Sequence, residues 1–222
     1  MRSILLLTAA VAGAFGFVSP ASAQAPVAVV EDVKGKPAGV EFMDYVAAGK
    51  VIKLGPKDTI VLGYMKSCWR ETITGGIVVV GTEESMIHLG KIERSKVNCD
   101  AGRMQLTKQE ASQSAATVVR SVKPAPQVTI YGLSPVIEIK GGGTLVIERL
   151  DKEGERRAVK VGDKSLVRGK FYDLAKARIA LTPGGTYLAR FGTLEIVFKV
   201  DPQAKPGSTP IIGRLLRLEQ AG

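Results

Sequence analysis

The chain is poor in the residues on which most site chemistry depends. It has one histidine, one tryptophan and two cysteines in 222 residues, and aromatic side chains make up only 5%. So few aromatics argue against a stacking platform for bases or sugars. Tyr64, Trp69, Phe171, Tyr172, Tyr187 and Phe191 read instead as packing residues. With His88 alone there is no second imidazole for a multi-histidine metal centre, and a histidine base would need a nucleophile brought to it. Ser85 lies near His88, but no G-x-S-x-G elbow frames it. The glycine clusters at 140–144 and 182–186 lack phosphate-loop spacing and read as turns between strands. The carboxylate pairs Glu31-Asp32 and Glu83-Glu84 fall in a lead-in and a turn, where sequence places no partner across a cleft.

Long apolar runs are also missing beyond the N-terminus, so no later segment approaches the ~20 residues that span a bilayer. The N-terminus itself has a positive residue at Arg2 and an apolar stretch from Ile4 to Val18. Pro20 and then Ala21-Ser22-Ala23 follow. This is the pattern of a cleavable signal peptide, with cleavage expected after Ala23 and a mature chain beginning at Gln24. No cysteine stands at that point to carry a lipid. Export to a bacterial envelope, the periplasm of a Gram-negative cell, is the expected destination, with no integral membrane segment left after cleavage.

Charge is unbalanced but dispersed. Lys and Arg number 31 against 21 Asp and Glu, a formal excess of +10, spread over both halves of the chain. Nucleic-acid binders gather their basic residues, so a nucleic-acid partner is not expected. The densest basic run is Arg156, Arg157, Lys160, Lys164, Arg168 and Lys170. If these six gather on one face, they form an anion-binding surface for an envelope polymer or lipid.

The texture of the chain is β. Residues 24–39 mix proline, glycine and charge and read as an exposed lead-in. From 40 to 103, short β-branched runs alternate with turn signals recurring about every 8–12 residues, the spacing of a small antiparallel sandwich or barrel. "KVIKLG" and "TIVLGYM" read as two strands about a turn containing Pro56. "CWRETI" and "IVVVG" read as two more about Gly75-Gly76. Residues 104–127 carry a helix over about 107–119, with Thr107 and Glu110 at capping-box spacing, and then a proline-containing linker. Residues 128–222 return to strands, and "LEIVFKV" should point Leu194, Ile196, Phe198 and Val200 inward. The fold class is therefore mainly β: two small antiparallel sandwich or barrel-like domains joined by one short helix and a linker. The second is expected to be immunoglobulin-like in layout.

Cys68 and Cys99 are expected on strands of the first domain. An even cysteine count in an oxidising compartment favours a disulfide between them. The alternatives are a reactive thiol, a zinc site with His88, or two buried free cysteines. The tight spacing of a metal site is absent.

Three elements carry a family resemblance: Gly49-Lys50-Val51, the run "LGPKDTIVLG" at 54–63, and "GGIVVVG" at 75–81 followed by a strand pair. Through them, segment 49–99 resembles the periplasmic FecR-like β domain. The following sandwich resembles the accessory domains that accompany such modules in secreted proteins of Gram-negative bacteria. The chain departs from the sigma-factor regulators of that family in lacking an internal transmembrane helix and a cytoplasmic N-terminal region. The cysteine pair belongs to no motif assigned to them. The resemblance implies protein or ligand sensing in the periplasm without catalysis, and no functional residue carries over. The expected function is thus a non-catalytic adaptor or sensory partner that binds another envelope protein, with no cofactor and no metal.

Overall fold

The computed structural model describes residues 25–37, 39–101, 125–206 and 210–221. The expected helix at 107–119 and the expected signal segment 1–23 lie outside the described residues. What is described is mainly β. Six strands build the N-terminal half: β1 (Pro26–Lys34), β2 (Tyr45–Ala47), β3 (Val51–Tyr64), β4 (Trp69–Val80), β5 (Ser85–His88) and β6 (Lys91–Lys96). They form one antiparallel sheet in the order β2-β1-β3-β4-β5, with β6 also paired to β4. Its inner face is the alternating apolar set Ala28, Val30, Ile52, Leu54, Ile60, Leu62, Tyr64, Ile73, Val78 and Val80.

Two features of this sheet differ from the sequence reading. "GPKD" does not reverse the chain but forms a bulge within the single long strand β3. Residues Leu54 and Thr59 pair with Gly76 and Thr74, leaving the residues between them opposite Gly75. The Asp58 carboxylate closes the bulge by accepting the Gly55 N–H at 2.9 Å. Gly75 and Gly76, expected to turn the chain, sit inside β4 at φ +66° and +82°. A side chain at Gly76 would meet the His88 carbonyl oxygen at 2.3 Å. Glycine is therefore needed here to let two backbones approach, not to end a strand.

The C-terminal half holds β7 (Val128–Gly132), β8 (Val136–Glu138), β9 (Gly143–Arg149), β10 (Arg156–Val161), β11 (Phe171–Asp173), β12 (Thr186–Phe191), β13 (Leu194–Lys205), β14 (Leu215–Arg217) and β15 (Glu219–Gln220). A large sheet runs β10-β9-β12-β13-β15, with β7 parallel to β13. A three-stranded sheet runs β11-β8-β14, with β8 and β14 parallel. Within this stretch of expected strands, residues 177–181 instead form a turn and an extended connection.

The small sheet is the middle layer of the molecule. Ile137, Tyr172 and Leu216 point from it into the C-terminal core, against Leu145, Ile147, Tyr187, Ala189, Phe198 and Val200. Their neighbours Val136, Phe171 and Leu215 point the other way, into a third core with Val29, Met43, Met65, Ile211 and Ile212. Period-2 alternation thus gives each short strand two buried faces, which is why these segments read as continuous apolar runs. The third core welds the halves together. Contact there is close enough that a Cβ on Gly63 would stand 2.6 Å from Ile212 Cγ2. Asp100 adds a polar tie by accepting the Thr129 N–H at 2.9 Å.

At the β9–β10 turn, Arg149 pairs with Asp151 at 3.0 Å and with Glu155 at 3.3 Å. Hydrogen bonding from Arg149 holds the Asp151 carboxyl down at about 2, from an ordinary value of 3.8. Because the folded value is the lower one, the associated stability is present above about 3.8 and lost as pH falls through about 2. Asp151 is 41% exposed, so solvent screening holds its contribution to roughly 1 kcal/mol or less. Urea unfolding across pH should show D151N slightly weaker than wild type at neutrality. The difference should vanish towards pH 2.

Candidate functional site

A cleft of about 700 Å³ opens along the seam between the halves. The N-terminal wall comes from Glu31 and Asp32 on β1, Phe42 just before β2, and Arg70 on β4. The opposing wall comes from Asp173 at the end of β11, Lys176 in the turn after it, and Ile211 and Arg214 before β14. Its floor is built from charges in apolar surroundings. The Glu31 side chain is only 2% exposed, and each of its oxygens takes a donor from a different half. Arg70 Nε donates to Oε2 at 2.8 Å, and the Ile212 N–H donates to Oε1 at 2.9 Å. A buried carboxylate needs such donors, since an unpaired one would cost several kcal/mol.

The other wall repeats the device. Arg214 Nη1 donates to Asp173 Oδ1 at 2.8 Å and to the Ser134 carbonyl at 2.9 Å, and the Ala175 N–H also donates to Asp173. At the mouth, Lys176 Nζ stands 5.3 Å from the centre of the Phe42 ring, a cation–π contact that crosses from one half to the other. Asp32, at the rim, accepts the N–H of Val33. The cleft therefore offers fixed carboxylates and guanidinium groups in its floor, with an exposed acid and an aromatic-backed lysine at its entrance. Such a lining suits a polar segment carrying both donors and acceptors.

A second polar cluster locks the seam beside the third core. The Tyr45 hydroxyl donates to Glu138 Oε2 at 2.8 Å and accepts from Arg217 Nε at 3.2 Å. Burial pushes the Tyr45 phenol well above its ordinary value, so it stays a neutral donor. Within the N-terminal half, Glu71 is fully buried and accepts the Ser85 N–H and Arg94 Nε at 3.1 and 2.7 Å. Tyr64 shares a 2.7 Å hydrogen bond with Ser85 Oγ, and burial pushes its phenol up to about 12. Ser85 is thus held by Tyr64, Glu71 and Arg94, while His88 lies exposed at the far end of β5.

Cys68 and Cys99 form the disulfide, with Cα atoms 5.7 Å apart. Neither lies in a strand: Cys68 ends the β3–β4 turn at φ +54°, and Cys99 follows β6. Both sulfurs are consumed in that bond, so neither serves as nucleophile or metal ligand.

The six basic residues do not act as one group. Arg156, Arg157 and Lys160 are exposed on β10, the edge of the large sheet, and Lys164 is exposed in the short 3-10 turn at Asp163–Ser165. Arg168 instead pairs with Glu41 and Asp44 of the other half. Lys170 lies over the Tyr45 and Phe171 rings at 4.9 and 5.1 Å. Among the described residues, no cluster of three or more His, Cys, Asp or Glu is arranged to hold a metal ion. No helix there is long and apolar enough to cross a membrane.

Of the cleft residues, sequence singles out only the Glu31-Asp32 pair and places it in an exposed lead-in. In the fold, β1 lies within the sheet between β2 and β3 and buries Glu31. One signal pointed to the others as well. Glu31, Asp173 and Arg214 each interrupt an apolar run, in "AVVED", "FYDLA" and "IIGRLL". A charge inside a strand pattern is either outward-facing or buried with a partner, and partner identity needs the tertiary register. No protein-family model, curated protein or solved structure matches the chain.

Proposed function

We propose that the chain works by binding rather than catalysis, as an exported adaptor or sensory partner in a bacterial envelope, and that its partner enters the seam cleft. The observation that carries this reading is the cleft itself. It has the size of a ligand site, lies where two units meet, and presents opposed charges on a floor already fixed by internal ion pairs. A polar loop or chain end of another envelope protein would meet Asp32 and Lys176 first and could rest on Phe42. The signal-peptide pattern and the likeness of 49–99 to FecR-like domains support the periplasmic setting and the sensory role. The disulfide also suits an oxidising compartment.

Arg156, Arg157, Lys160 and Lys164 support a second reading, binding of an anionic envelope polymer, because all four remain exposed on one edge strand and the turn that follows it. Retention of a partner from envelope extract separates the two. With F42A/K176E the retained partner should fall by about tenfold while R157E/K160E keeps it, since losing the aromatic surface on which the partner rests and reversing one charge at the mouth removes about 1–2 kcal/mol. The opposite order would favour the polymer reading.

A further inference from the structure

The outer face of the N-terminal sheet has two ends with different fates. At one end Val29, Gly63 and Met65 are covered by the C-terminal half. At the other, Val51, Ile77, Met86 and Leu89 are bare, at 53, 38, 63 and 98% exposure. The strand register puts these residues together. Val51 pairs with Val79 and Val79 with Met86, giving one apolar row. The next row is Lys53, Ile77 and His88. Beyond the bulge comes the row Lys34, Thr59, Thr74 and Lys91. Leu89 sits between the last two rows, at the break between β5 and β6, which run end to end along β4 with Leu89-Gly90 opposite Gly75-Gly76.

Two observations give this corner a meaning. Leu89 is a large apolar residue at the break between two collinear edge strands, held at φ +57°, a conformation that favours glycine, and it buries almost nothing within the molecule. Neither local geometry nor core packing accounts for it. In addition, none of the three rows contains a carboxylate. Their charges are Lys34, Lys53 and Lys91, and Lys57 is exposed on the adjoining bulge. Asp58, on that bulge, is turned to the backbone N–H groups of Gly55 and Lys36, and the exposed Glu83 and Glu84 of the turn before β5 pair with Lys66 and Arg94. Asp32 and Glu93 stand in the following row, towards the cleft.

From these rows we infer that this corner is a docking surface for an anionic phospholipid bilayer. Leu89, Met86 and Val51 enter the interfacial layer, and Lys34, Lys53, Lys57 and Lys91 meet the headgroup phosphates. An apolar corner ringed by lysines is the chemistry of peripheral membrane attachment. A second copy of the chain fits poorly, because a two-fold contact through this corner would oppose lysines to lysines. The inference is independent of the cleft reading. The cleft residue Asp32 stands one row beyond the lysine row, so the cleft lining and this corner share no residue.

The test is co-sedimentation of the purified protein with vesicles of phosphatidylcholine alone or mixed with phosphatidylglycerol. Binding is expected only to the mixed vesicles. L89G/M86S should weaken it about tenfold or more, since two exposed apolar side chains no longer insert. K53E/K91E should weaken it by a similar factor through headgroup repulsion. Glycine suits the φ of Leu89, so L89G alone should unfold no earlier than wild type, which keeps misfolding from mimicking the result. The inference is overturned if wild type ignores the mixed vesicles or if both double variants bind as well as wild type. It is also overturned if only R157E/K160E loses binding, or if L89G/M86S instead abolishes a dimer seen without lipid.

Discussion

Replacing Arg214 by methionine is expected to lower the unfolding free energy by about 3–5 kcal/mol, the usual cost of leaving one member of a buried ion pair without its partner. Arg214 and Asp173 have side chains only 5% and 9% exposed, on the wall where the middle sheet meets the N-terminal half. Methionine fills much of the same volume but donates no hydrogen bond. Asp173 then keeps the Ala175 N–H as a donor, and the Ser134 carbonyl loses the Arg214 contact. A double variant, R214M/D173L, should recover most of the loss, because an apolar pair of similar size replaces a satisfied ion pair at little net cost. Denaturant midpoints with unchanged slopes would measure both. A loss below about 1 kcal/mol for R214M would mean that water reaches this pair and that the cleft floor is not the closed structure described.

Removing the disulfide has a comparable effect by a different route. The bond closes a sequence separation of 31 residues, so the loop-closure contribution is about 3–4 kcal/mol. The closed segment contains β4, β5 and β6, and Cys99 also packs against the third core. C68S/C99S should therefore lose stability as a whole and expose the seam preferentially, with faster hydrogen exchange at Ile211 to Leu215 than in the rest of the C-terminal half. Oxidised protein should show no titratable thiol before reduction. Reduced protein unfolding within about 1 kcal/mol of oxidised protein would show that the crosslink restrains little of the unfolded chain.

The disulfide was readable because cysteine pairing is arithmetic: two cysteines and an expected oxidising compartment leave few options. Strand character was readable for the same kind of reason. In "LEIVFKV" the alternation placed Leu194, Ile196, Phe198 and Val200 inward; the last three are buried, while Leu194, at the start of the strand, is only partly so. Val197 is buried too, at 7% exposure, which alternation alone could not announce. Gly55-Pro56 and Gly75-Gly76 misled for a physical reason. The residues that make turns also make bulges, and only the partner strand decides which one forms. The cleft was hidden for a related reason. Glu31 and Ile212 are 181 residues apart in sequence, and nothing local marks them as neighbours. The basic run was visible but its grouping was not. Arg168 and Lys170 are drawn to Glu41, Asp44 and Tyr45, whose proximity arises only when the middle sheet packs against the N-terminal half.

The claim that a partner occupies the seam cleft is tested most directly by a photo-crosslinking residue placed at Phe42 and activated in intact cells. A discrete adduct from that position, lost when K176E is introduced into the same chain and absent when the same residue replaces Lys160, is the result expected of a binding cleft. A discrete adduct from position 160 with none from position 42 would contradict it.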